Sequence, residues 1–192
     1  MARKPRVWYP GAIYHVTARG NRRGDLFYDD ADFEEYKSLL VWGQKEFPFR
    51  LHAYCLMTNH VHLLMETLHL PPGESIKAMH TRYAIYFNKR HKVSGHLFQG
   101  RYHATLIDTK QYVLEASKYI HLNPLKANMV ASAAAYPFSS YAAYLASHAE
   151  DRCVCTEKIL SLFTHPAHEK YQAYVDGKDG GTYRNYSKKH WT

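Results

Sequence analysis

The stretch FRLHAYCLMTNHVHLLM, Phe49 to Met65, decides the fold. Its two apolar runs, Phe49 to Met57 and Val61 to Met65, flank the turn-like pair Thr58-Asn59, a pattern that predicts two strands joined as a hairpin. Pro48 closes whatever helix comes before. That helix is legible in Phe33, Tyr36, Leu39 and Leu40, which recur at the helical interval up to about Lys45, with Asp29 or Asp30 as its cap. Further back, Ala12 to Ala18 reads as a strand with Tyr14 and Val16 on one side. It ends in the turn-rich run Arg19 to Gly24.

Working outward in the other direction, Pro71, Pro72 and Gly73 break the chain before a second helix from about Glu74 to Lys89. Its apolar stripe is Ile76, Met79, Tyr83 and Phe87. A loop punctuated by glycine, Ser94 to Gly100, leads to a strand near Tyr102 to Ile107. A third helix starts at Asp108 or Thr109, turns Tyr112, Val113, Ala116 and Ile120 inward, and is expected to end at Asn123-Pro124, with Asn123 capping a new helical turn. The order strand, helix, strand, strand, helix, strand predicts a ferredoxin-like α+β domain: an antiparallel sheet with packed helices, and one further helix laid against it. Residues 1–145 form this domain in our reading. Residues 146–192 form a less regular appendage, with short helices expected at Glu157 to Phe163 and Pro166 to Val175.

Lys and Arg total 25 against 17 Asp and Glu, for a formal charge of +8. Distribution says more than the sum, because residues 1–24 and the run from Ser75 to Ile107 contain basic residues and no acidic ones. The first holds Arg3, Lys4, Arg6, Arg19, Arg22 and Arg23, and the second Lys77, Arg82, Lys89, Arg90, Lys92 and Arg101. Such stretches suit phosphate-facing surfaces, and the 17 tyrosines supply rings on which unpaired bases can stack. Cys55 reads as a small core residue. Cys153 and Cys155 lie too close together for an ordinary disulfide and lack the second pair of a structural zinc site. With no signal-peptide pattern and no long apolar run, the expected location is the cytoplasm, with no membrane partner.

Chemistry enters at His60-Val61-His62. Side chains two apart on a strand point to one face, so two imidazoles can share one cation. With 14 histidines in the chain, an H-x-H is weak support by itself. Tyr119 and Asn123 add to it, since i and i+4 on a helix share a face and present a phenol beside an amide oxygen acceptable to a hard cation.

Four ordered motifs together are more specific: Tyr14-His15-Val16-Thr17-Ala18-Arg19-Gly20-Asn21-Arg22, Met57 to Leu64, Phe98-Gln99-Gly100-Arg101-Tyr102, and Tyr119-Ile120-His121-Leu122-Asn123-Pro124 followed by Lys126-Ala127. Over roughly Pro10 to Tyr144 the chain resembles the single-tyrosine HUH transposases, in particular the REP-associated branch. The resemblance implies the HUH endonuclease fold, His60 and His62 as metal ligands with Asn123 as a further one, and Tyr119 as nucleophile. It also implies magnesium or manganese as cofactor and single-stranded DNA with an adjacent hairpin as partner. Insertion-sequence relatives often act as dimers, whereas the REP-associated branch is monomeric, so monomer is the expected state. Arg19, Asn21, Arg22, Arg23, Lys77, Arg82, Lys89, Arg90 and Arg101 are the expected DNA contacts. Two other readings stand beside this one: a DNA-binding protein or domesticated regulator without turnover, and a metal-independent two-histidine phosphoesterase built on His15-Val16-Thr17 and His103-Ala104-Thr105.

Overall fold

The computed structural model describes residues 7–145 and 151–177. Arg3, Lys4 and Arg6 of the first basic stretch, and the chain from 178 onward, lie outside the described residues. The central strands are β1 (Ile13–Arg19), β2 (Phe49–Met57), β3 (His60–Thr67) and β4 (His103–Ile107), in the order β2-β3-β1-β4. Every neighbouring pair is antiparallel. Helix α1 (Asp30–Glu46) connects β1 to β2, and α2 (Pro72–His91) connects β3 to β4. This is the ferredoxin-like α+β arrangement of the HUH endonuclease fold.

The two helices cover one face of the sheet. Period-two alternation sends Tyr14, Val16 and Ala18 of β1 and Val61, Leu63 and Met65 of β3 to that face, where they meet Tyr36 and Leu40 of α1 and Met79, Tyr83 and Phe87 of α2. A β-carbon at Gly43 would lie 2.6 Å from the Met79 sulfur, so the lack of a side chain there sets the close approach of α1 and α2. Asp29 caps α1 through a carboxylate oxygen that accepts from the Asp32 amide.

The other face carries α3 (Lys110–Lys126), capped by the Thr109 hydroxyl, which accepts from the Tyr112 amide. Val113, Leu114, Ala116 and Ile120 of α3 pack with Ala53, Cys55 and Met57 of β2 and Leu64 of β3. A break in register lies between Leu51, paired with Met65, and Ala53, paired with Leu64. This bulge at His52 switches the phase of β2, so Tyr54 and Leu56 face the first core while Ala53, Cys55 and Met57 face the second.

The expected helix stop at Asn123-Pro124 is corrected: α3 runs through Pro124 to Lys126. A proline in the last turn removes a single amide donor, and the Ala127 amide still donates to the Asn123 carbonyl. Asn123 is therefore a residue of the final turn and not the cap of a new helix.

Beyond α3 the chain returns to β2, an edge strand. The Leu56 amide donates to Phe138 O at 2.9 Å, and the Cys155 amide donates to Leu51 O at 2.8 Å. These bonds occupy edge groups that would otherwise be open to pairing with another chain. Helices α4 (Glu157–Leu160) and α5 (Ala167–Val175) follow, and α5 buries Tyr171, Tyr174 and Val175 in the second core. Among the described residues no helix is long and apolar enough to cross a membrane.

Candidate active site

The site lies at one end of the α3 face of the sheet. His60 opens β3 opposite Arg19, and His62 stands opposite Thr17. Their rings lie 4.9 Å apart between centroids. His15 reaches the same place from β1, its ring nearly parallel to that of His62 with centroids 5.1 Å apart and 2.9 Å between His15 Nε2 and His62 Nδ1. Tyr119 comes from above on α3, with its ring edge-on to His62 at 5.6 Å and to His15 at 5.9 Å. One turn on, the Asn123 amide donates to the Tyr119 carbonyl at 2.9 Å. These rings border a cleft of about 340 Å³ whose wall also includes Arg19, Gln99, Arg101 and His103.

Burial sets the electrostatics. It pulls His60 down to about 4, with the charge of Arg19 adding to the effect. Burial also lowers His62 well below its ordinary value, helped by the neighbouring His15. His15 is brought to about 3, again chiefly by burial. All three are neutral at pH 7 and so retain a nitrogen lone pair. For His60 the position of that lone pair follows from a hydrogen bond. Its Nδ1 lies 2.7 Å from Asn59 Oδ1, which can only accept, so Nδ1 carries the proton and Nε2 the lone pair.

Burial raises the Tyr119 phenol above its ordinary value, against an opposing hydrogen bond from Asn123. The phenol is thus not ionised by its protein surroundings. Lys126 stands two turns along the same helix, with Nζ 5.0 Å from the Tyr119 ring centre. Burial, and then Lys118, lowers the Lys126 ammonium.

Among the described residues no set of three His, Cys, Asp or Glu is arranged to hold a metal ion. A cation here would rest on two neutral imidazoles, with amide, phosphate or water oxygens completing its shell. The donor chemistry suits a catalytic ion with open positions.

The model of the family described as "Transposase IS200 like" matches residues 9–123, from the turn before β1 to Asn123. The chain belongs to the IS200-like transposase family. A Haemophilus influenzae protein assigned by name to the REP-associated tyrosine transposases is 26% identical over 156 residues, covering 73% of this chain and 86% of that protein. A solved REP-associated tyrosine transposase bound to a REP hairpin superposes with a TM-score of 0.58 at 18% identity, over 73% of this chain and 82% of that one. Membership places the chain among DNA-cleaving enzymes of the HUH class, and the superposition bears on the fold.

The expected DNA contacts are dispersed. Arg19 and Arg101 line the cleft of His60 and His62, and Arg101 also borders a larger neighbouring cleft of about 820 Å³ with Asn21 and Lys77. Arg22 and Arg23 occupy an exposed turn, both with positive φ. Arg82 lies over the Trp42 ring at 4.1 Å, and Lys89 is exposed. Arg90 is committed elsewhere, to Asp29 at 2.7 Å and Asp32 at 2.6 Å, which ties α2 to the start of α1.

His15 as a partner of His62, Gln99 on the cleft wall and Lys126 beside Tyr119 went unassigned in the sequence reading of the transposase site. Lys126 was discoverable, because 119, 123 and 126 fall on one helix face. Placing His15 requires the β1–β3 register. The two H-x-T elements do meet: the β1–β4 register sets Thr17 opposite His103 and His15 opposite Thr105.

Proposed function

We propose that the chain is a metal-dependent endonuclease and strand transferase for single-stranded DNA beside hairpins, working through a covalent 5′-phosphotyrosine at Tyr119. The observation that carries this reading is the convergence of the Tyr119 ring, at 5.6 Å, on the His62 ring, with His60 beside it and Asn123 one helical turn away. In this reading residues 1–145 form the catalytic domain and 146–192 its appendage. The enzyme acts as a monomer on cytoplasmic DNA.

His60, His62 and Asn123 would hold a magnesium or manganese ion. When bound, such an ion supplies charge neutralisation at the scissile phosphoryl group and favours loss of the phenol proton. Tyr119 Oη attacks phosphorus in line, the P–O3′ bond breaks, and the 3′ oxygen leaves with a proton as hydroxyl. One phosphodiester is exchanged for another, so attack by a new 3′ hydroxyl reverses the step and joins different ends. Arg19 and Arg101, on the rim of the cleft, position the DNA backbone.

The test is incubation with a hairpin-bearing single strand and manganese, followed by peptide mass mapping of the denatured, nuclease-trimmed product. The expected remnant is on Tyr119, and Tyr119→Phe, which keeps the ring packing, retains fold and binding but gives no adduct. The meeting of the two H-x-T elements favours a second reading, the two-histidine phosphoesterase. Cleavage that persists in chelator and in Tyr119→Phe would select it. Tight hairpin binding with no cleavage under any metal would select a non-catalytic regulator.

A further inference from the structure

We propose that His15 is a positioning residue that fixes the tautomer of His62, by accepting a hydrogen bond from His62 Nδ1 and so leaving the lone pair of that ring on Nε2. The inference rests on the metal-dependent reading above and concerns one bond within it.

At 2.9 Å between His15 Nε2 and His62 Nδ1, one of the two nitrogens must carry the hydrogen, since two lone pairs would repel. Only two polarities exist. If His62 Nδ1–H donates, the lone pair of a neutral His62 sits on Nε2 and the ring can take a cation. If His15 Nε2–H donates, a neutral His62 must hold its proton on Nε2, and both of its nitrogens are closed to metal. The direction of this hydrogen bond therefore decides whether His62 can be a ligand at all.

The neighbouring ring shows the same device with a different acceptor. Asn59 Oδ1 accepts from His60 Nδ1 at 2.7 Å and leaves the His60 lone pair on Nε2. With His15 as acceptor, His62 adopts the matching tautomer, and the pair offers two like nitrogens. Metal-binding histidines generally donate their second N–H to a carbonyl, carboxylate or water, which fixes ring orientation and tautomer. Here a neutral imidazole fills that place. It is held firmly: His15 is 2% exposed, and its ring plane lies within 14° of that of His62, as an in-plane hydrogen bond requires. The β1–β3 register sets Thr17 opposite His62, so His15 reaches the ring along the diagonal on the same face.

Two measurements on the full chain without DNA test this. The first is a long-range proton–nitrogen correlation spectrum of metal-free wild-type protein with labelled histidine, the His62 ring assigned with a His62→Gln variant. The expected pattern is a protonated Nδ1 and an unprotonated Nε2. The second is manganese affinity, read from the electron paramagnetic resonance signal of free manganese.

His15→Phe keeps an aromatic ring without an acceptor and should lose about 10- to 100-fold in affinity. His15→Gln restores an acceptor and should return affinity close to wild type, a rescue that mere loss of packing would not give. A proton on Nε2 of His62 in the wild type overturns the proposal. So does a His15→Phe variant that binds manganese as well as wild type, or a folded His15→Gln variant as weak as the Phe variant. Should His15→Phe fail to fold, the wild-type spectrum and the Gln variant decide. Wild-type protein that binds no manganese and cleaves in chelator overturns the metal reading itself, and the spectrum then still reports on the bond separately.

Discussion

Acidification should destabilise the protein well before its carboxylates titrate, and His121 allows the effect to be isolated. This residue of α3 is fully buried. Its Nδ1 lies 2.8 Å from the Tyr171 hydroxyl and its Nε2 lies 2.8 Å from Ser140 Oγ. The Tyr171 hydroxyl donates to Ser117 Oγ at 3.1 Å, and Ser117 donates to the Leu114 carbonyl at 2.8 Å. With its own hydrogen on Ser117, the Tyr171 hydroxyl accepts from His121 Nδ1–H, and the neutral ring that burial favours then accepts at Nε2 from Ser140, whose hydroxyl also lies 3.3 Å from the Tyr54 carbonyl. Burial lowers its pKa from 6.5 to about 3.

A folded pKa depressed below the unfolded one means that the unfolded state binds the extra proton. The stabilisation is therefore complete above 6.5 and is lost as pH falls from 6.5 towards 3. Integrated from pH 7 to pH 5, one such ring costs about 1.9 kcal/mol of stability. His121→Gln keeps a donor and an acceptor but cannot take up this proton. Urea unfolding followed by circular dichroism at fixed ionic strength should show the variant less stable at pH 7 by about 1–2 kcal/mol. That gap should shrink by about 1.9 kcal/mol at pH 5. A gap that stays constant across this range would show that the folded state protonates His121 and would refute the neutral network.

Replacing His60 and His62 together with Ala should abolish cleavage while hairpin binding, measured by fluorescence anisotropy, stays within a few fold of wild type, because backbone contacts dominate affinity. Neutralising Arg22 with Arg23 should cost at least tenfold in hairpin affinity at about 0.1 M salt and flatten the salt dependence. An unchanged dissociation constant would remove the turn from the DNA surface. Gly20→Ala should destabilise the fold by about 1–3 kcal/mol in thermal or urea unfolding, since its β-carbon would lie 1.9 Å from the Gly24 carbonyl oxygen. An unaltered midpoint would mean that the turn opens without cost.

The parts of the molecule legible in sequence are those governed by local periodicity. Alternation put His60 and His62 on one face, and the i, i+4 spacing put Tyr119 with Asn123. Both rules depend only on backbone geometry within one element. The parts that were not legible depend on partners distant in the chain. The bulge at His52 is invisible because Phe49 to Met57 is apolar enough to read as one phase, and only the pairing with β3 reveals the switch. Pro124 reads as a stop, yet a proline in a final turn forfeits so little that packing of α3 on the sheet overrides it. Arg90 reads as a free cation until α1 and α2 come together and present it with Asp29 and Asp32. His15 is offered by the sequence only beside His103; the strand order sets β1 between β3 and β4, so His15 meets His62 as well.

The same face of the sheet serves as core at one end and as site at the other. On β1 and β3 the residues beneath α3 change from Ile13 and Leu64 at one end to Thr17, His62 and His60 at the other. Helix α3 packs mainly over β2 and β3, and it brings Tyr119 to the edge of the uncovered part over β1 and β4. Register is what couples the two ends. A slip of one residue between β1 and β3 would carry Val61 and Leu63 to the cleft and both imidazoles into the α1–α2 core. Two neutral histidines without partners in that core would cost several kcal/mol in unmet hydrogen bonds, on the order of 1–3 kcal/mol each, besides the apolar burial lost. The antiparallel register that the apolar residues enforce is thus the one that presents His60 and His62 to Tyr119, so selection for a stable sheet and selection for a formed site act on the same pairing.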